Sequence, residues 1–432
     1  MTDAATLLQE LIRFDTTNPP GNEEACVGHI EALLHANGIE TERYEKAQGR
    51  PNLIARHRGT KDCPPLMLYG HVDVVTTAGQ KWTHDPFGGE HVDGYIWGRG
   101  ALDMKGGVAI CVRAFLDAVA RSTATPLILL ILSDEENGGD FGAAFMADEH
   151  ADALGGAKHA LGEFGGATQW IAGKRFYPIQ VSEKQMSWLR ASIRGGGGHG
   201  ALGVRGGSMR RLGDILRKLD RKQPPIHVIP IVRDWVETTA AHLPRPQALL
   251  LRRVLDPRTA DYAVRAMGPR GRVFGRVTRN TVSTTVVHGG EKINVIPSEI
   301  ELQLDGRILP GQTPDDLIRE LHDLVGTRDV EFEVVRHDPG PPEPDMSQFR
   351  LLADVIEELD PEGIPVPILQ AGVTDARHLS RAGIQTYGYL PVRLPEGFEP
   401  LPLVHGADER IPADALQFGV DAIARVVDRY PA

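Results

Sequence analysis

Two histidines and a set of carboxylates in the sequence stand where they could hold metal ions. The first pair is His71 and Asp73 in LMLYGHVDVV, directly after an apolar run. In open α/β sheets, ligand sites form beyond the carboxyl ends of strands, and alternation along an extended chain puts His71 and Asp73 on one side. A carboxylate beside a metal-bound imidazole can hold its other ring nitrogen and fix the tautomer. Asp103 opens a predicted helix in WGRGALDMKGG, where a helix N-cap is the plainer explanation. Asp134, Glu135 and Glu136 follow the apolar run LILLILS; three consecutive carboxylates repel one another and point to a nearby cation. Glu163 ends the short run ALGEFGG, and His405 lies far downstream in PLVHGADER. Imidazole and carboxylate ligands without thiolates suit zinc, and also manganese or cobalt. A pair of ions with one bridging carboxylate needs about this many ligands. The tripeptide at 71–73 recurs as His91-Val92-Asp93, but that copy runs into Gly94 and reads as a hairpin turn.

These residues need a scaffold that brings them together. NLIAR at 52–56, LMLYG at 66–70 and LILLILS at 127–133 read as strands, the last apolar without alternation, as in a parallel sheet buried on both faces. Helix patterns cover 24–37 and about 104–121, so strand, helix and strand form a βαβ unit. From residue 186 the pattern changes to strand (SWLRASIRG), helix (207–221), two strands (TVSTTVVHGG and INVIPSEIELQLDGRIL), helix (314–325) and strand (330–336). That order is βαββαβ, a ferredoxin-like domain. The proline-rich DPGPPEP at 338–344 follows, and a helix closes the chain at 413–429. The fold class is therefore α/β with a mixed, largely parallel sheet, in a discontinuous domain of residues 1–185 and 339–432. The insert spans 186–338, and its segment 223–280 exceeds a simple helix-to-strand connection.

The chain carries 47 basic and 58 acidic residues, a net charge of −11, which argues against nucleic-acid or anionic-membrane partners. Cys26, Cys63 and Cys111 show no C-x-x-C spacing, so neither a disulfide framework nor a cysteine zinc knuckle is expected. The first residues lack a basic n-region and a small-residue cleavage site, and the longest apolar run, Pro126 to Leu132, is too short to span a bilayer. A cytoplasmic location is the expectation.

The ordered series GHVD, GRGALDMKGG, SDEENGG, GEFGG and VHG resembles the co-catalytic di-zinc metallopeptidases, peptidase family M20, of aminoacylase, succinyl-diaminopimelate desuccinylase, glutamate carboxypeptidase and carnosinase. The likeness includes FDTTNPPGNE near the start and INVIPSEIELQLDGRILPGQT in the insert. RILPGQT and VHGADERI look most like the branch of carboxypeptidase S and the N-acyl amino acid hydrolases. The resemblance implies a zinc-exopeptidase catalytic domain with a lid and dimerisation insert, two zinc ions, and hydrolysis of an amide next to a free carboxylate. The substrate would be an N-acyl amino acid or a short peptide, and the protein could be a homodimer. His71 and Glu163 would hold one zinc, Glu136 and His405 the other, and Asp103 would bridge them. Asp73 would orient His71, and Glu135 would be the general base. His199 in GGGGHG resembles the lid histidine that stabilises the oxyanion. Asn294 and Arg307 resemble groups that hold the substrate carboxylate, and Gly372 and Thr374 belong to a GVTDAR loop like the family's carboxylate-side loop. Two positions depart from the family pattern. Gly200-Ala201-Leu202 follows the lid histidine where a small residue and proline are usual, and Phe164 replaces a common proline.

Two alternatives have a basis in the residues. One is a metal-bearing binding protein without catalysis, against which Glu135 is a spare carboxylate beside the ligands. The other is dinucleotide binding through Gly198, Gly200 and Gly203, a literal G-x-G-x-x-G that lacks the acidic residue and the doubly wound context.

Overall fold

The computed structural model describes residues 2–203 and 205–431. The chain divides into two compact units, Met1–Val181 with Pro344–Ile368 and Thr374–Ala432, and Ser182–Glu343 with Leu369–Val373. The sequence sets these borders at 185/186 and 338/339. The packing moves them because the proline-rich segment goes with the insert, and so does the short stretch holding Gly372.

The first unit is built on a sheet ordered Thr41–Glu45, Pro51–His57, Leu127–Leu132, Leu66–His71, His159–Gly162, Gln385–Gly388, Lys174–Glu183 and Gly363–Gln370, with Gln169–Ile171 paired to Lys174–Glu183. The four strands from Leu127–Leu132 to Gln385–Gly388 are mutually parallel. The flanking Pro51–His57 is antiparallel to Leu127–Leu132, and Lys174–Glu183 to Gln385–Gly388. Every residue of Leu127–Leu132 and Leu66–His71 is buried, which requires cover on both faces and explains their unbroken apolar runs. On one face Met67, Tyr69, Ile128, Leu130 and Leu132 pack with Phe145 and Met146. The helix Lys105–Ala120 contacts the strand Leu66–His71 and packs against the helices Ala4–Ile12 and Ala413–Arg429.

Register decides where the site forms. His71 pairs with Leu132 across parallel strands, so both strands end at one edge of the sheet. His71 therefore lies beside the turn that carries Glu135 and Glu136, and the neighbouring strand His159–Gly162 delivers Glu163 to the same edge. The copy at 91–93 lies instead in the hairpin of Glu90–Val92 and Tyr95–Trp97, with Asp93 and Gly94 both at positive φ as a type I′ turn requires.

In the second unit the strands lie in the order Thr281–His288, Glu299–Ile308, Gln185–Arg194, Glu331–Asp338, every neighbouring pair antiparallel. The helices Ser208–Arg221 and Pro314–Val325 contribute Ile215, Leu317 and Leu321 to a core with Leu189, Ile193 and Leu302. Thr313 and Asp316 form a capping box that starts the second helix. The elaboration at 223–280 is helical, with Pro230–Ala241, Arg245–Arg252, Ala260–Ala266 and Arg272–Val277. Buried Lys184 ties its end down, donating to the carbonyls of Arg276 and Arg279 and to Thr281 Oγ1. Among the described residues no α-helix begins at the G-x-G-x-x-G glycines, and Gly200 opens only the short 3-10 turn Gly200–Leu202. Gly198 lies in a two-residue strand paired to Val295–Ile296, and the helix starts at Ser208, so a dinucleotide fingerprint is not formed. Among the described residues no helix is long and apolar enough to cross a membrane.

Candidate metal centre

The two oxygens of Asp103 face two different imidazoles. Asp103 Oδ1 lies 3.3 Å from His71 Nε2, and Oδ2 lies 3.2 Å from His405 Nε2. His405 Nε2 is also 3.1 Å from the Glu136 carboxylate. Two groups of ligand atoms result, His71 with Asp103 and Glu163, and Asp103 with Glu136 and His405, the atoms of each lying within 4.8 Å of one another. His71 also groups with Glu135 and Glu136 in this way. All lie in the first unit.

Asp103 is not the N-cap that its sequence context allows. The helix begins at Lys105 after Met104, with no side-chain cap, and the Asp103 carboxylate is turned to the histidines. The loop Gly100–Asp103 is gathered instead by Glu409, whose buried carboxylate accepts from Gly100 N, Leu102 N and Asp103 N and from Arg99 Nη1.

His71 Nδ1 lies 3.0 Å from the carbonyl oxygen of Asp73 and 3.5 Å from its carboxylate. Both the carbonyl and the carboxylate of Asp73 thus stand where they can orient the ring. Donation from Nδ1 leaves Nε2, the nitrogen that faces Asp103, with the free lone pair. The Asp73 carboxylate also accepts from the backbone of Glu135 and Glu136 and from Asn18 Nδ2, which also donates to Asp134. The cation expected beside the acidic triplet is, for Asp134, a guanidinium. Arg50 lies 2.9 Å from Asp134 and 2.6 Å from Glu23, all three buried. Backbone strain collects here too, since Asp134, Phe164 and His405 all have φ between 60 and 71°. Proline cannot adopt that φ, so Phe164 suits the present loop.

The electrostatics call for positive charge. Burial pushes the Glu135 and Glu163 carboxyls well above the usual carboxylate range, and raises Glu136 as well. Burial also acts to raise Asp103, but attraction to the His405 and His71 imidazoles that face it outweighs this and holds that carboxyl low. His405 is pushed up to about 10 by its bonds to Asp103 and Glu136. His71 Nε2 and Glu163 Oε2 are buried without a hydrogen-bond partner. Crowded carboxylates with two aimed imidazoles and orphaned buried donor atoms fit a pair of divalent cations.

Glu135 stands beside the ligands, with Arg377 Nη1 3.9 Å from Oε1. Arg377 is anchored on the carbonyls of Thr374 and Gly138. The sequence reading missed Asn18, Arg50 and Glu409 as parts of the centre. It also missed Asp375, fully buried with neither carboxylate oxygen hydrogen-bonded and pushed up to about 7 by burial. Asn18, Asp375 and Glu409 lie in the stretches FDTTNPPGNE, GVTDAR and VHGADERI, but nothing within those stretches gives them a part in the centre, and the partners of Asn18, Arg50 and Glu409 lie far along the chain. Thr374 is buried with Oγ1 accepting from Ala376 N, while Gly372 is grouped with the second unit. Within that unit His199 pairs with Val295, next to Asn294, and Asn294 O accepts from Gly200 N. Both side chains are exposed, and Arg307 is forked onto Asp305 at 3.0 and 3.2 Å.

A sheet edge with this donor set defines a dinuclear metallohydrolase. The profile of peptidase family M20/M25/M40 matches residues 67–429, and the chain belongs to that family of metal-dependent amide and peptide-bond hydrolases. It is 27% identical over 364 residues to a probable carboxypeptidase S-like 2 of Dictyostelium discoideum, covering 80% of this chain and 68% of that one. It is 27% identical over 398 residues to the N-fatty-acyl-amino acid synthase/hydrolase PM20D1 of Bos taurus, covering 87% of this chain and 76% of that one. The fold matches the M20 family metallo-carboxypeptidase Sso-CP2 of Sulfolobus solfataricus over 100% of both chains, with a TM-score of 0.69 at 16% identity.

Proposed function

We propose that the centre holds two zinc ions and hydrolyses the amide of an N-acyl amino acid or short peptide next to its free carboxylate. The observation that carries this reading is the Asp103 carboxylate set between His71 and His405. His71 and Glu163 would hold one ion and Glu136 and His405 the other, with Asp103 shared between them. When bound, the ions supply Lewis acidity for the scissile carbonyl and lower the pKa of the attacking water. Glu135, which faces the ligands without being needed as one, takes the proton from that water and delivers it to the leaving amine. Arg377 keeps the Glu135 carboxylate in place.

His199 acts on the oxyanion in this reading, and Asn294 and Arg307 on the substrate carboxylate, with Gly372 and Thr374 in the adjoining loop. The exposed side chains of His199, on a short β-pair, and of Asn294, directly before the strand paired with it, support their share. Arg307 must give up part of its fork on Asp305 to serve. A homodimer through the insert is supported by the exposed edge strand Thr281–His288, with Val286 and Val287 outside the core. A cytoplasmic location is supported by three cysteines that are all free thiols.

The test is amine release by the zinc-loaded protein from N-acetyl and long-chain N-acyl amino acids, N-succinyl amino acids and dipeptides, with Glu135→Ala as blank. Glu135→Ala should bind both ions yet lose turnover by about 10²–10⁴-fold. Full activity in that variant would sink the assignment of the base, and silence of the wild-type protein on every substrate would favour a metal-bearing binding protein.

A further inference from the structure

A cavity of about 130 Å³ opens beside Asp103 and Glu163 and runs into the first unit. Its walls are Ile110, Ile368, Leu390, Val392 and Ile411, all buried, and Phe164, Ala167 and Leu401 stand less buried around it. Leu401, at 59% exposure, is a large apolar side chain left in solvent. Apart from the two ligands, the only polar side chain in the lining is Gln169, and no lysine or arginine reaches it. A charged group entering here would lose its hydration without a counter-ion, whereas an apolar group would be stabilised.

We propose that this cavity is the acyl pocket, and that it takes a compact apolar group of about four to six carbons, such as a hexanoyl chain or a phenyl ring. The proposal rests on reading the centre as an amide hydrolase. Of the two halves of an N-acyl amino acid, the amine half bears the carboxylate, for which the walls away from the two metal-ligand carboxylates offer no lysine or arginine. The acyl half is uncharged and is joined to the carbonyl carbon that must sit by Asp103 and Glu163. The size follows from volume, since a dry apolar cavity of about 150 Å³ accommodates benzene. A long fatty-acyl chain exceeds that volume and would leave most of its methylenes outside.

The experiment is a chain-length series on the zinc-loaded full chain, N-acetyl through N-palmitoyl on one amino acid, with N-benzoyl added. The expected kcat/KM rises about fourfold per methylene through hexanoyl and falls again by decanoyl. Ala167→Phe, which narrows the cavity, should cut the ratio of hexanoyl to acetyl turnover by about tenfold. Leu401→Trp, at an exposed position, gives the same readout should Ala167→Phe not fold. A profile that is flat or still climbing at palmitoyl, with the acetyl substrate turned over, overturns the pocket and leaves the hydrolase reading standing. If no substrate is turned over, the hydrolase reading has failed, and calorimetry with acetate, hexanoate and decanoate judges the cavity alone. Hexanoate binding tighter than both others, with the gain lost in the variants, upholds it as a site for a compact apolar group. Equal affinities overturn it.

Discussion

Glu409 and Asp103 are 306 positions apart, yet one carboxylate sets the position of the other. Glu409 gathers three backbone N–H groups of the Gly100–Asp103 loop and the Arg99 guanidinium, and it sits four residues after His405. It thus joins the loops that deliver two proposed ligands, and outer partners of this kind tune metal affinity. Glu409→Gln puts an amide N–H where an acceptor is required. The expected outcome is a 10–100-fold weaker affinity for zinc by calorimetry, with the circular dichroism of the wild type. Unchanged affinity would show that the loop holds its shape without this carboxylate. His71, Asp103, Glu135, Glu136, Glu163 and His405 were legible in the sequence because each follows an apolar run or opens a conspicuous glycine-rich turn. Arg50 was not, and Glu409 and Asp375 were visible only as members of VHGADERI and GVTDAR, because what gives them a part in the centre is burial among distant segments.

At the scale of elements, the turn after Leu127–Leu132 shows how strand ends are secured. Ser133 N donates to Asn52 Oδ1, Ser133 Oγ donates to the Pro51 carbonyl, and Asp134 is paired with Arg50. Gly142 packs so closely that a Cβ there would lie 1.8 Å from the Ser133 carbonyl oxygen. The acidic triplet thus divides its labour, Asp134 holding the turn while Glu135 and Glu136 face the site. Arg50→Met leaves the buried carboxylates of Glu23 and Asp134 unpaired. We expect a loss of about 3–5 kcal/mol in urea unfolding. A loss below about 1 kcal/mol would mean that the pair's attraction does no more than offset its desolvation.

At the scale of the whole molecule, the proposed ligands all come from the first unit, while the insert has a core of its own in Leu189, Ile193, Leu302 and Leu317. Ligands that bind only the folded state stabilise what they touch, by about 2.7 kcal/mol at a hundredfold excess over Kd. Chelation of the metals should therefore lower hydrogen-exchange protection in Leu66–His71 and Leu127–Leu132 by about 100-fold. Protection in Gln185–Arg194 and Glu299–Ile308 should stay the same. Equal losses in both units would contradict a centre confined to the first.

Periodicity and punctuation in the sequence determined the α/β class, the βαββαβ insert and the positions of most elements to within a few residues, because hydrophobic spacing is a local property. The closing helix, expected at 413–429, runs Ala413–Arg429, and the helix expected at 314–325 runs Pro314–Val325. Only the tertiary structure decided that Asp103 faces two histidines rather than capping a helix, and that the cation beside Asp134 is Arg50. It alone decided that Arg307 is already forked onto Asp305 and that an apolar cavity adjoins the ligands. Apart from the fork of Arg307 on Asp305, two residues away on its own strand, these outcomes depend on parallel-strand register and on contacts spanning tens to hundreds of residues, which local spacing does not encode.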